Sequence, residues 1–359
     1  MIASAYAPGR VELLGNHTDY NQGLVLGAAI DRGLTVEGSA REDGVIELNS
    51  AALQRSVRLP LDRVARLDDE VWANYPLGVV AEFLEAGFRI GGFTATISGN
   101  LPPGSGLSSS AALEVATARF LMKLHGWEMP PLDLAKLCQR AENRFVGVQS
   151  GLLDQITSIF GRKNHIVSID CRTEQISVLP CPDDIALVIA DSGKKHSLVQ
   201  GEYNLRREQC TAAAHALGVT SLRDVSVSAL ETFSRSLDPL LRRRAAHVIG
   251  ENERVRRALE CIGERDMAGF GALMNASHES SRTNFENSSP ELDLLVSIAR
   301  SLPGVFGARL TGGGFGGAIV ALTATHITEA VSAALGEAYM AKSGSRPAIT
   351  VCRPAAGAE

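Results

Sequence analysis

Residues 101–116 read LPPGSGLSSSAALEVA, and the fold turns on this stretch. Pro102 and Pro103 lack amide donors, and Gly104 and Gly106 are conformationally loose, so the first half is not a regular element. The second half has helical spacing, with Leu113, Phe120 and Leu121 on one side and Gly126 placed to end it. A small-residue loop therefore feeds a helix N-terminus. Such a terminus carries unpaired N–H groups and partial positive charge, and small side chains let an anion reach the backbone. Two readings follow: a phosphate cradle, or a serine-rich N-cap after a Pro-Gly turn.

Before this stretch the chain is strand-rich, with β-type runs at 23–30, 33–38, 45–49, 56–59 and 93–98 between Gly, Asn and Asp turns. A helical pattern fits 76–86. After it come helical spacings at 132–146 and 151–160, then strands at 164–168, 176–179 and 185–190. Residues 201–300 are mostly helical and charged. The end alternates strand (307–311), glycine run, strand (318–323), helix (328–341) and strand (348–351). This order predicts an α+β fold in two lobes, divided near residue 183 into 1–183 and 184–359.

At 359 residues, with 45% hydrophobic and 21% charged residues, the composition is that of a globular protein. A net charge of −5 gives no global pull toward nucleic acid or anionic membrane. The basic cluster Arg242–Arg244 with Arg254, Arg256 and Arg257 is broken by Glu251 and Glu253 and reads as a solvated helix face. Six scattered cysteines form no C-x-x-C pair, which argues against structural zinc and a disulfide framework. No apolar run reaches a membrane span and no apolar leader is visible, so a cytoplasmic protein is expected.

Between Ala7 and Asn21, six polar or charged side chains (Arg10, Glu12, Asn16, His17, Asp19, Tyr20) fall within eleven residues. A polar loop like this is either a solvated turn or a surface for sugar hydroxyls. His17-x-Asp19 could begin a metal site, but no third ligand stands at suggestive spacing. Glu142 borders an apolar helix stripe and is either an ion-pair partner or a ligand for a hard cation such as Mg²⁺. Asp154 stands opposite an apolar face as an exposed carboxylate or a general base. Gly312–Gly317 formally matches G-x-G-x-x-G, but strand-like residues follow where a helix should open. A glycine-lined hairpin fits better. G-x-x-x-x-G-K-[ST] and G-x-S-x-G are both absent.

Taken together, these motifs resemble the GHMP kinase superfamily and, within it, the galactokinase family, over essentially the whole chain. GRVELLGNHTDYN from Gly9 looks like the family signature GRVNxIGEHTDYN, and PGSGLSSSAA from Pro103 is similar to the phosphate loop. AENRFVGVQSGLLDQ from Ala141, YNLRREQC from Tyr203 and ARLTGGGFGG from Ala308 follow in family order. The resemblance implies a GHMP kinase fold with the active site in the cleft between lobes, and ATP-dependent phosphorylation of galactose at its anomeric hydroxyl.

By the same resemblance, Arg10 would stabilise the transferring phosphate and hold Asp154 ionised, and Asp154 would take the sugar proton. Gly104, Ser105, Gly106, Leu107, Ser108, Ser109, Ser110 and Ala111 would wrap the ATP phosphates, with Trp72 and Tyr75 near adenine. Ser110 and Glu142 would hold Mg²⁺. Asn16, His17, Asp19, Gly151 and Tyr203 would meet the sugar. Only small molecules, sugar and ATP, are implied as partners, and a monomer is the working expectation. In one place the sequence departs from the signature: Glu12 and Asn16 exchange its usual Asn and Glu. The exchange keeps open a kinase of a related sugar, such as an N-acetylhexosamine, a pentose or a uronic acid. A catalytically silent sugar and ATP sensor is the other alternative. Sensors of this kind lose the end of the phosphate loop, whereas Ser109, Ser110, Ala111 and Ala112 are present here.

Overall fold

The structure is a computed structural model and describes residues 2–101, 106–195, 199–233 and 237–359. Gly104 and Ser105 lie outside the described residues. The strands are β1 (Ile2–Leu14), β2 (Leu24–Arg41), β3 (Val45–Ser50), β4 (Arg55–Pro60), β5 (Gly92–Gly99), β6 (His165–Asp170), β7 (Gln175–Pro180), β8 (Ile185–Lys195), β9 (Val305–Leu310), β10 (Gly316–Ala324) and β11 (Ala348–Cys352). The helices are α1 (Asn74–Glu85), α2 (Ser109–His125), α3 (Pro131–Arg140), α4 (Leu153–Phe160), α5 (Val199–Ala216), α6 (Val227–Phe233), α7 (Pro239–Glu264), α8 (Met267–Ser280), α9 (Pro290–Ser301) and α10 (Thr328–Ser343).

Contacts gather the chain into two compact units, residues 1–10, 29–163 and 355–359 in one and 11–28 and 164–354 in the other. The sequence suggested a single cut near 183; the contacts cut the chain at four places, because β1 and β2 each begin in one unit and end in the other.

In the first unit, β2 pairs antiparallel with β5, β5 parallel with β3, and β3 antiparallel with β4. Alternate residues of β3 and β5 point inward, so Ile46, Leu48, Phe93 and Ala95 are buried, and Phe93 meets Phe120 of α2 edge-on. Helix α2 is alanine-rich and almost wholly buried, and Gly126 ends it in the left-handed region at φ 70°. The C-terminal tail returns to this unit, where Tyr6 and Glu359 exchange both backbone hydrogen bonds.

In the second unit, β8 and β10 are the middle strands of an antiparallel sheet ordered β11-β8-β10-β9. Helices α9 and α10 cover it, burying Leu295, Leu335 and Tyr339 against Val188, Leu310 and Ile319. The glycine run is the connection of the β9–β10 hairpin, as the strand-like residues after it predicted. A second core joins α5, α6 and α7 around Cys210, Leu222, Val248 and Phe285. The segment 7–14, expected as part of a polar loop, is instead the buried end of β1; the loop proper starts at Gly15.

Candidate active site

The end of β1 sets the first group of residues. Gly9 lets the strand pass close to the phosphate loop, since a Cβ there would stand 2.6 Å from the carbonyl oxygen of Leu107. The next residue, Arg10, is 6% exposed. Its Nε donates to Asp154 Oδ1 at 2.7 Å and one Nη to Oδ2 at 2.9 Å, a bidentate pair. The other Nη donates to the Gly106 carbonyl at 2.7 Å, so one guanidinium fixes both Asp154 and the end of the loop.

Ser108 is the N-cap residue of α2, yet its side chain makes no cap hydrogen bond. Its backbone is left-handed, φ 53°, and its hydroxyl donates to Asp154 Oδ2. The serine-rich N-cap reading therefore fails at the residue that should carry it. The first N–H groups of α2 are left without a side-chain cap, which is the electrostatic setting an anion needs. Ser109 and Ser110 occupy the first turn and are partly exposed; Leu107 and Ala111 are buried.

Glu142 lies in a π-helical turn, Ala141–Val146, that continues α3 and ends at Gly147. Its carboxylate accepts hydrogen bonds from Ser150, Gln155 and Ser110. Burial is the largest influence and lifts its pKa above the ordinary value, against the pull of those hydrogen bonds. On α2, burial and then the charge of Glu142 push the buried carboxyl of Glu114 well up. Among the described residues no three His, Cys, Asp or Glu side chains group as metal ligands. A buried carboxylate hydrogen-bonded to a serine hydroxyl nevertheless suits Mg²⁺, which takes one or two protein oxygens and fills the rest from phosphates and water.

A cavity of about 250 Å³ lies beside the first turn of α2. It is lined by Leu53, Trp72, Tyr75, Ile97, Ser110 and Leu113. Its apolar and aromatic walls suit a flat ring. Gly151 is partly exposed just before α4.

The loop after β1 carries the second group. Both amide protons of Asn16 go to protein acceptors, Glu12 Oε1 at 2.9 Å and the Gly312 carbonyl at 2.8 Å. Its carbonyl oxygen accepts from Asn287 at 2.9 Å. Glu12 in turn pairs with the buried Arg309 at 3.1 Å. The exchanged pair thus bond each other, as their spacing of four residues allows.

His17 Nε2 is 3.0 Å from the Gly313 carbonyl, which only accepts, so Nε2 carries the proton and Nδ1 accepts from Tyr20 at 2.8 Å. Burial lowers its pKa to about 4. Around the imidazole stand Tyr20, Tyr203 of α5 and Phe285, with ring centroids 4.6–5.7 Å away. Asp19 opens a short 3₁₀ turn, Asp19–Asn21, and is partly exposed.

Comparison with known proteins follows the same residues. The chain matches the galactokinase galactose-binding signature over residues 3–40, the GHMP kinases N terminal domain over 74–162 and the GHMP kinases C terminal domain over 258–341. It is 42% identical to a galactokinase of Haemophilus influenzae over 360 aligned positions, covering 99% of this chain and 94% of that protein. A Roseiflexus galactokinase is 41% identical, with 98% and 91% covered. The chain belongs to the galactokinase family.

Among solved structures, the Lactococcus lactis galactokinase complexed with galactose superposes with a TM-score of 0.95 at 34% identity, covering 100% of this chain and 95% of that one. A mevalonate kinase, at 20% identity and TM-score 0.67, shares the GHMP kinase fold. This galactokinase-family chain is accordingly a sugar kinase, a phosphotransferase that uses ATP and an alcohol acceptor.

Sequence reading missed the residues that hold the family signature in place. Helix α7 grips its loop: Glu251 Oε2 accepts from the backbone N–H groups of Gly15 and Asn16 at 2.9 and 3.0 Å. His247 Nε2 donates to the Asn16 carbonyl at 3.1 Å, and Asn252 accepts from the Leu24 N–H at 2.8 Å. The reading of this helix as a solvated face is corrected. Arg256 and Glu253 are exposed, but Arg244, His247 and Glu251 are buried. The signal was in the spacing, since 244, 247, 248, 251, 252 and 255 fall on one face. Their charges concealed it. Asn287 was overlooked too. It donates to Asn16 and to the Gly313 carbonyl, and its own carbonyl sits where a Cβ on Gly314 would stand, 2.2 Å away.

Proposed function

We propose that this sugar kinase moves the γ-phosphoryl group of ATP onto the anomeric hydroxyl of galactose, giving galactose 1-phosphate and ADP. The observation that carries the residue assignment is the Arg10–Asp154 pair held against Ser108 and Gly106 at the start of α2. Asp154 accepts the hydroxyl proton and orients its oxygen for in-line attack. Arg10 holds the Asp154 side chain in place by its bidentate pair and adds positive charge where the phosphoryl group passes. Gly106 to Ala111, with Gly104 and Ser105 before them, receive the phosphates through backbone N–H groups. Trp72 and Tyr75 receive the adenine.

Ser110 and Glu142 would hold Mg²⁺, which when bound neutralises phosphate charge. Asp19, Gly151 and Tyr203 meet sugar hydroxyls. Asn16 has both amide protons committed to the protein and offers at most an acceptor lone pair; with His17 it holds the shape of the sugar loop. The reaction joins two small molecules and is read as the work of a monomer. No helix among the described residues is long and apolar enough to cross a membrane, and the free cysteines agree with a cytoplasmic setting.

The test is ADP release with ATP and Mg²⁺ across galactose, glucose, N-acetylgalactosamine, arabinose, galacturonate and talose. Turnover dominated by galactose is the expected result. Turnover dominated by another sugar would move the assignment and make Glu12 and Asn16 the first suspects. Sugar binding without turnover on any of them would replace the kinase by a sensor.

A further inference from the structure

Gln155 follows Asp154 on α4 and is wholly buried. Its Nε2 has two hydrogens and faces two carboxyl oxygens, Glu142 Oε2 at 3.1 Å and Glu114 Oε2 at 3.0 Å. Glu114 stands four residues after Ser110 on α2, so the two share a helix face. One amide therefore ties α2, α4 and the π-helical turn together behind the Ser110–Glu142 hydrogen bond. The terminal torsion of a glutamate is broad, and a carboxylate on a short turn would otherwise rotate. Here Oε2 of Glu142 is pinned by Gln155 and by the Ser150 hydroxyl.

We infer that Gln155 and Glu114 are positioning residues that fix the carboxylate plane of Glu142 and thereby set the divalent-cation affinity of the nucleotide site. Glu114 anchors Gln155 and Gln155 aims Glu142; neither needs to touch cation or phosphate. The inference rests on Glu142 being a cation ligand, as proposed above. Partners of metal-holding carboxylates elsewhere change metal affinity by roughly 10–100-fold when removed. A role confined to packing would lower stability and leave that affinity unchanged.

The experiment titrates Mn²⁺ by electron paramagnetic resonance into the full chain saturated with a non-hydrolysable ATP analogue. The variants are Gln155→Met, Glu114→Met, Glu114→Gln and, as reference, Glu142→Gln. Gln155→Met and Glu114→Met should weaken Mn²⁺ roughly tenfold, while metal-free binding of the analogue stays at the wild-type value. Glu114→Gln keeps the oxygen that accepts from Gln155 and should stay within about twofold of wild type, on the same hydrogen-bond argument. If Glu142→Gln weakens Mn²⁺ and Gln155→Met does not, the positioning role is overturned. An unchanged Mn²⁺ affinity in Glu142→Gln overturns instead the ligand reading beneath it. Should Gln155→Met fail to fold, the two Glu114 variants decide, and equal affinity in them refutes the inference.

Discussion

Arg10 and Glu12 are two residues apart on β1, and the groups they begin follow opposite rules. Around Arg10 the structure gathers charge. A bidentate ion pair stands with Asp154 still about one-fifth exposed, α2 starts without a side-chain cap, and Glu142 stands close enough to feel the charge of Asp154. Around Asn16 it removes or pairs charge. His17 and His247 are buried and neutral, Glu12 is matched by Arg309 and Glu251 by Arg254, and the side-chain amide and carbonyl of Asn16 all bond to protein. On the proposed assignment, the groups that would handle phosphate keep part of their hydrogen-bonding capacity open. On the same assignment, the groups that would shape the sugar loop bond chiefly to one another, because unpaired buried polar atoms are costly; Arg309 Nε and Asn287 Oδ1 are exceptions.

Removing one member from each group should therefore fail differently. Asp154→Ala takes away the proton acceptor and the bidentate partner of Arg10, which keeps its hydrogen bond to the Gly106 carbonyl. Turnover should fall by roughly 10⁴-fold, with affinity for an ATP analogue within about threefold, because the N–H groups of α2 do not depend on it. Single-turnover kinetics and calorimetry measure the two; near-normal turnover would remove Asp154 from its role. Glu251→Leu strips the acceptor from two buried N–H groups and the partner from Arg254. The loss should appear in stability, about 3–4 kcal/mol by denaturant unfolding, the range for a broken buried pair. A variant of normal stability that has lost only kcat would show that α7 is part of the chemistry and not of the scaffold.

The closed network should also be the acid-sensitive part. His17 is held down at about 4 and His247 at about 3, in both cases chiefly by burial, against about 6.5 in the unfolded chain. Below pH 6.5 the unfolded state takes up protons that the folded state refuses, so stability falls with pH until the folded values are reached. Glu251 acts in the same direction. Its depressed pKa, set by Arg254 and His247 against its own burial, supplies stability that is full above the unfolded glutamate value and lost in acid. Between pH 7 and pH 5 each histidine should cost about 2 kcal/mol. Replacing His247 by Gln should flatten that part of the profile; an unchanged slope would mean the imidazole is not excluded from protonation.

Much of this was legible in the sequence, and the divide follows sequence distance. Helix α2, the β9–β10 hairpin and strands β3, β4 and β5 are local patterns of turn residues and apolar period, and they fold as read; the two runs expected at 23–30 and 33–38 are instead one continuous strand, β2 (Leu24–Arg41). The motifs also gathered the Arg10, Ser108, Asp154 and Glu142 set, because each motif contributes its own residue. What binds one motif to another was not legible. Gln155 reaching Glu114, Glu251 holding Gly15, and Asn287 joining Asn16 to Gly313 are pairings between residues 41, 236 and 271 positions apart, the last counted from Asn16. Helical spacing sets Glu251 on the face of Val248 and Val255 and Glu253 off it, but only the packing of α7 shows that this charged face is buried.

The exchanged pair offers the smallest and most discriminating effect. In the family signature the carboxylate stands at position 16 and the amide at 12; here they are reversed. A hydrogen bond and an ion pair fix the present arrangement, the amide of Asn16 to Glu12 and the guanidinium of Arg309 beside the same carboxylate oxygen. Asn16→Glu alone puts two carboxylates in contact and removes the donors to Glu12 and to the Gly312 carbonyl, so galactose affinity and stability should both drop. Adding Glu12→Asn restores one amide and one carboxylate beside Arg309, and the double variant should return to within about threefold of wild type in kcat/KM, the additive cost cancelled by the coupling of touching residues. Double-mutant analysis on galactose and N-acetylgalactosamine in parallel separates the outcomes. Recovery on both sugars means the exchange is a silent swap within one network, whereas recovery on a single sugar would place specificity in the orientation of this pair.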